Sequence, residues 1–159
     1  MNRPYAKGYM AEGAKTWIFP DGYLPAQGPE GNYVGHDCIC MVNTSDQDAS
    51  VLLDIFLEDR EPVLDIEIRL PAQRSLHLRM DKPEMLGGYE LPRETPYSAR
   101  VRSNVPIVAQ YSRLDVTQPN MAFLSVMGFA VVAARLRKPR SFTKNRKPGK
   151  VRTSRPERS

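Results

Sequence analysis

Apolar and polar residues alternate with a period of two in three separate stretches of this chain, and few sequence features constrain a fold more tightly. Such alternation indicates β-strands that bury one face and expose the other. No segment shows a convincing helical period. The rows expected to face the core are Leu64, Ile66, Ile68 and Leu70; Val51, Leu53, Ile55 and Leu57; and Leu76, Leu78 and Met80.

Turn-forming residues separate these rows at short intervals, for example at 43–46, 58–62 and 71–73. Counting the apolar rows between turns predicts roughly seven or eight strands. Many short strands joined in this way are typical of sandwiches and barrels. The sequence therefore predicts an all-β fold, an antiparallel β-sandwich of jelly-roll-like form.

The charge of the chain divides sharply near residue 135. Residues 135–159 carry 11 Lys and Arg against one acid, a net of +10; because the whole chain is +5, the residues before them sum to −5. The tail also contains three prolines and lacks a core-forming pattern. We expect a flexible extension over residues 1–13, a sandwich domain over 14–134, and a flexible basic tail over 135–159.

The basic tail is a candidate for nucleic-acid contact, because Lys and Arg neutralise phosphates without reading base sequence. Phe142 is the one aromatic residue there, so base stacking has little support. The alternative is a solvated extension that binds no nucleic acid. The residues that would make the contact are Arg135, Arg137, Lys138, Arg140, Lys144, Arg146, Lys147, Lys150 and Arg152.

Several protein classes are disfavoured. The longest apolar stretch is shorter than a membrane-spanning helix, which needs about 18 apolar residues. Residues 1–15 lack the apolar centre of a secretory signal. Two cysteines make no disulfide framework, which fits a cytoplasmic protein. The chain contains no G-x-S-x-G, P-loop or H-E-x-x-H motif, so we expect neither catalysis nor a cofactor.

Residues 102–115 read RSNVPIVAQYSRLD. An apolar strand is expected from Val105 to Tyr111, with Pro106 tolerated near its start because proline removes one ladder donor. The strand then brings Gln110, Arg113 and Asp115 to the rim of the core, where a ligand or partner could bind.

Three strings in register resemble the Anabaena sensory rhodopsin transducer family. They are SNVPIVAQYSRLD, Trp17 followed by DGYLP at 21–25, and GHDCICMVN at 35–43. The likeness runs from about residue 16 to about residue 130. It implies a β-sandwich that assembles as a homotetramer, binds a small molecule, and signals with a membrane photoreceptor or another sensory partner.

A polar cleft with an aromatic wall is expected at the sandwich edge, suited to a small polar ligand such as a sugar. In the alternative, the same groups form a structural network in which Arg113 pairs with Asp115 and His36 caps a turn. The candidate ligand-binding residues are Trp17, Tyr23, Glu30, His36, Gln110, Arg113 and Asp115.

His36, Cys38 and Cys40 fall on one strand face and invite a metal interpretation, since imidazole and thiolates bind zinc. No second Cys or His pair completes a four-ligand set, and buried cysteine more often acts as a small apolar residue. The sequence therefore predicts no metal.

Val105 to Ala109 and Met121 to Val132 are apolar on both faces. A strand of that kind must be covered twice, often by another subunit. The alternative is a central strand in the core of a monomer. We favour the interface for Met121 to Val132, and the family resemblance adds to that interpretation.

Overall fold

The computed structural model describes residues 12–31 and 33–132. Their secondary structure is a series of strands with one 3₁₀ turn at Pro83–Met85. In these ranges no helix has the length and apolar character needed to cross a membrane. The strands are β1 (Ala14–Tyr23), β2 (His36–Asn43), β3 (Ala49–Leu57), β4 (Val63–Leu70), β5 (Arg74–Arg79), β6 (Pro96–Asp115), β7 (Ala122–Met127) and β8 (Phe129–Ala130).

The strands form two antiparallel layers that share β6. The first layer has the order β4-β3-β6-β1-β8, and the second has the order β5-β2-β6-β7. The N-terminal half of β6 pairs with β1 and β3, while its C-terminal half pairs with β2 and β7. The predicted antiparallel β-sandwich is confirmed.

The passage of β6 from the first layer to the second explains why its proline is tolerated. The strand begins at Pro96, well before the start expected from the sequence, and Pro106 lies inside it. Pairing with β3 ends at Ser103, and pairing with β2 begins at Val108, so Pro106 removes no donor from either ladder. Asn104 stabilises this part of β6 because its side-chain oxygen accepts a hydrogen bond from the Ser50 N–H at 2.8 Å.

The predicted core rows are confirmed with one exception. Val51, Leu53 and Ile55 are fully buried, whereas Leu64 is 50% exposed. A register shift in the β3–β4 ladder turns Leu64 outward, and Asp65 beside it adopts a left-handed backbone with φ of 60°. The bulge was not visible in the alternation, because one extra residue reverses the facing of every residue beyond it.

The bulge places the backbone N–H of Asp65 in a charged cluster on the outer face of the first layer. Asp54 is fully buried and accepts hydrogen bonds from Arg100, Arg102 and the backbone N–H of Asp65. Burial opposes ionisation, but these donors outweigh it and lower the pKa of Asp54 to about 2. The cluster therefore holds a buried carboxylate across β3, β4 and β6.

Residues 1–11, 32 and 133–159 lie outside the described residues. The flexible N-terminal extension and the basic tail, including all nine of its candidate nucleic-acid contacts, therefore stay predictions. The domain boundaries at residues 13 and 134 likewise stay predictions.

Candidate functional site

Asp37 in β2 is the centre of a buried hydrogen-bond network. Its side chain is fully buried, and one carboxylate oxygen accepts the Tyr97 hydroxyl at 2.9 Å and the Tyr23 backbone N–H at 3.1 Å. The other oxygen accepts the Nε–H of Arg113 at 3.1 Å. One carboxylate thus joins β1, β2 and β6. Together with Tyr111, these residues are called the Asp37 network below.

Arg113 is held on several sides. Its Nη2 donates to the Tyr111 hydroxyl at 2.6 Å, and its guanidinium lies 5.5 Å from the ring centroids of both Tyr23 and Tyr111. Burial raises the pKa of Asp37 above its usual value, although the hydrogen bonds and the Arg113 charge oppose that shift. Burial beside Asp37 also raises the pKa of Tyr97 well above its usual value, so this hydroxyl remains a donor.

Two of the predicted ligand-binding residues meet in this network, and two others lie beside it. Tyr23 and Arg113 are joined through Asp37. His36 pairs in register with Leu114, and a ring nitrogen lies 2.8 Å from the Val34 carbonyl. Asp115 accepts both the backbone N–H and the hydroxyl of Thr117. The partner of Arg113 is therefore Asp37 rather than Asp115.

The contacts of Arg113 within the described residues do not include the other three predicted residues. The indole N–H of Trp17 donates to the carbonyls of Ala14 and Ile107, which makes Trp17 a buried structural residue. Gln110 is three residues before Arg113 on β6 and therefore on its opposite face. Glu30 is exposed in the connection between β1 and β2.

A cavity of about 310 Å³ opens beside the Asp37 network. Leu24 directly follows Tyr23 in the chain, and the Asp37 carbonyl accepts the Met80 N–H next to Asp81. None of the seven predicted residues lines this cavity. Its lining residues are Leu24, Asp81, Pro83, Glu90, Leu91, Pro92 and Arg93.

Ionic contacts shape the polar side of this cavity. The Asp81 side chain is 4% exposed, pairs with Arg79 at 2.7 Å, and lies 3.6 Å from Arg93. Arg93 also donates to the carbonyls of Pro25 and Gly35, which ties the connection between β1 and β2 to the cavity wall. Sequence patterns could not identify these residues, because the connection between β5 and β6 has neither strand alternation nor helical period.

Residues 121–132, called the β7–β8 ribbon below, lie along one edge of both layers. Within residues 12–31 and 33–132, β7 pairs with β6 alone, and every residue of β7 is exposed. A central strand in a monomer core is therefore excluded for this segment. Among the described residues, eight of the eleven exposed large apolar side chains belong to the ribbon: Met121, Phe123, Leu124, Val126, Met127, Phe129, Val131 and Val132.

The two cysteines of β2 occupy the outer face of the second layer, while Ile39 and Met41 between and beside them enter the core. The sulfur atoms of Cys38 and Cys40 are 3.6 Å apart. Burial, and then the neighbouring Cys40, raise the pKa of Cys38 to about 12. His36 is not the histidine beside them; His77 of β5 lies directly opposite Cys40.

Comparison with known proteins gives a consistent result. The model of the family described as Anabaena sensory rhodopsin transducer matches residues 12–130. A crystal structure titled Thermotoga maritima 1070 is 40% identical, with 75% of this chain and 96% of that chain covered and a TM-score of 0.67. A structure titled Anabaena sensory rhodopsin transducer is 35% identical, with 67% and 92% covered and a TM-score of 0.59. No curated protein matches.

Proposed function

The chain belongs to the Anabaena sensory rhodopsin transducer family, and on that premise we propose that it is a non-enzymatic transducer acting in the cytoplasm. In this proposal it assembles as a homotetramer, binds a small polar ligand, and relays a signal to a sensory partner. The name of the Anabaena relative makes a membrane photoreceptor the first partner to consider.

The exposed apolar β7–β8 ribbon is the observation that carries this proposal. Phe123 is 71% exposed and Val126 is 55% exposed, although they lie on opposite faces of β7. Monomeric proteins rarely expose contiguous apolar surface of this kind. The outer edge of β7 also presents backbone donors and acceptors that a strand of a second copy can pair with.

The position of Arg113 supports a relay between cavity and ribbon. Arg113 pairs in register with Asp37 of β2 on one side and with Leu124 of β7 on the other. The cavity adjoins the Asp37 network, so a ligand that shifts this network would act on the strand that holds the ribbon. The ligand cavity and the assembly surface would then be connected through two neighbouring strands, β2 and β6.

The cavity is suited to a small polar ligand. Its volume of about 310 Å³ lies at the lower end of the range for small-molecule sites. Asp81, Glu90 and Arg93 offer hydrogen-bonding groups for hydroxyls, while Leu24 and Leu91 offer apolar surface. This combination matches a ligand of sugar-like chemistry.

A thermal-unfolding screen of sugars and other small polar metabolites tests the ligand. At 100 times its Kd, a ligand stabilises the native state by about 2.7 kcal/mol, which raises Tm by several degrees. We expect Glu90→Gln to reduce that rise, because Glu90 lines the cavity. Glu58→Gln is the matched control, since Glu58 is exposed in the turn after β3. A screen in which no compound raises Tm, or an equal rise in Tm for both variants, would count against ligand binding in this cavity.

The charge division of the sequence favours a second candidate, nucleic-acid binding by residues 135–159. In this case the sandwich serves to oligomerise, and several tails on one assembly raise avidity. Deleting residues 135–159 should abolish the affinity for nucleic acid and its dependence on salt. For duplex DNA, the slope of log K against log salt concentration is about −0.9 for each phosphate that the protein neutralises. Affinity that survives the deletion with an unchanged salt slope would exclude the tail as the binding element.

A further inference from the structure

Three metal-binding side chains converge on the outer face of the second layer. Cys38 and Cys40 are two residues apart in β2, so both point to the same face. His77 enters from β5, because the β2–β5 register places it opposite Cys40. The two sulfurs and an imidazole nitrogen all lie within 4.8 Å of one another. We propose that these residues form a binding site for a thiophilic cation, with Zn²⁺ as the best chemical match.

The spacing of the sulfurs agrees with that chemistry. Zinc–thiolate bonds are about 2.3 Å long, so sulfurs 3.6 Å apart would subtend about 100° at a shared cation, close to tetrahedral geometry. A disulfide needs a sulfur separation of about 2.05 Å. The distance between Cys38 and Cys40 is thus suited to a shared metal without movement of the strand.

The burial of the three residues leaves one position open. Cys38 is buried, Cys40 is partly buried and His77 is exposed, so a cation held by them would lie at the surface. Ser112 is close by, with its oxygen 3.9 Å from the Cys40 sulfur. A zinc ion with three protein ligands commonly completes its coordination with water. Four protein ligands are therefore not required, which removes the objection raised by the sequence.

The charges around the cluster do not oppose a cation. Arg79 lies opposite Cys38 in the β2–β5 register. Its guanidinium is engaged by both carboxylate oxygens of Asp81, at 2.7 and 2.9 Å. Asp81 thus offsets the positive charge nearest the sulfurs.

A bound cation would stabilise the pairing of the edge strand β5 with β2. In the part of the chain that the structure describes, β5 is an edge strand that pairs with β2 alone, and the proposed ligands bridge these two strands. The site would therefore reinforce the ladder from its outer face. This inference rests on the β2–β5 register and is independent of the ligand cavity and of the assembly proposed above.

Titration of the reduced full-length protein with Co²⁺, followed by Zn²⁺ competition, tests the site. We expect one cobalt per chain, a thiolate-to-cobalt charge-transfer band, visible absorption typical of tetrahedral cobalt, and displacement by zinc. His77→Ala should weaken binding by more than about 100-fold, beyond the 10–100-fold typical of outer partners of metal ligands. Cys40→Ser should remove much of the charge-transfer band.

His36→Ala is the matched control, because the chain has two histidines and His36 contacts the Val34 carbonyl instead. We expect its cobalt spectrum and affinity to equal those of the wild type. Circular dichroism of each variant checks that the strands are retained. Reduced wild-type protein that gives no charge-transfer band, or a spectrum that is unchanged by His77→Ala, would overturn the site.

Discussion

Asp37→Ala is expected to lower the free energy of unfolding by about 3–5 kcal/mol, the range for removing one partner of a buried ion pair. The substitution leaves the Tyr97 hydroxyl and the Tyr23 N–H without their acceptor. It also leaves the Arg113 guanidinium without its counter-charge, and Arg113 is only 18% exposed. Urea unfolding followed by circular dichroism, at one fixed protein concentration, measures the change.

Asp59→Ala is the matched control for this loss. Asp59 also pairs with an arginine, Arg60 at 2.8 Å, but both side chains are more than half exposed. Exposed pairs contribute little, so we expect a change within about 0.5 kcal/mol. Should Asp37→Ala prove too unstable to purify, Asp37→Asn retains an acceptor for Tyr97 and should show a smaller loss. A loss below about 1 kcal/mol for Asp37→Ala would contradict the network, since an unsatisfied buried group alone costs about 1–3 kcal/mol.

Sequence alone could predict the strands but not the network that joins them. The inward rows of β3 and β5 follow from local alternation, which each strand carries within its own residues. Asp37 carries no such signal, because an acid between His36 and Cys38 could equally face solvent. Its partners Tyr97 and Arg113 lie 60 and 76 residues further along the chain. The pairing of β2 with β6 identifies Arg113, and Tyr97 reaches Asp37 from the half of β6 that pairs with β1 and β3.

The cysteine cluster shows the same limit. Cys38 and Cys40 share a face by simple parity, and the sequence identified that correctly. The sequence-based interpretation grouped the two cysteines with His36 rather than with His77. The pairing of His77 with Cys40 depends on the β2–β5 register, and the two strands are separated by thirty residues that include two other strands. By contrast, the parity that separates Gln110 from Arg113 was present in the sequence, and it could have excluded Gln110 from a site around Arg113.

For the β7–β8 ribbon the structure agrees with the sequence on one point, the apolar side chains on both faces of the segment. Apolar residues on both faces of the segment favoured a covering second molecule over a central strand in the core of a monomer. The structure places β7 at the edge of its layer with both faces exposed. The apolar character of both faces follows from the residues themselves, so local sequence was sufficient to indicate it, and the covering partner stays a prediction.

Val126→Glu is expected to dissociate the assembly into monomers. A carboxylate in an apolar interface would be desolvated without a counter-charge, which costs several kcal/mol per subunit. Leu64→Glu is the matched control, because Leu64 is 50% exposed against 55% for Val126 but lies on β4, away from the ribbon. The control should retain the mass of the wild-type assembly. Equal masses for wild type and Val126→Glu would exclude the ribbon as the contact surface.

The molar mass of the wild-type protein at micromolar concentration, measured by light scattering after size exclusion, tests the central claim most directly. The account predicts a homotetramer of about 72 kDa, four times the 18.0 kDa chain, and 18.0 kDa for Val126→Glu. A wild-type mass of 18.0 kDa would contradict it, because the ribbon would then remain exposed in the functional protein.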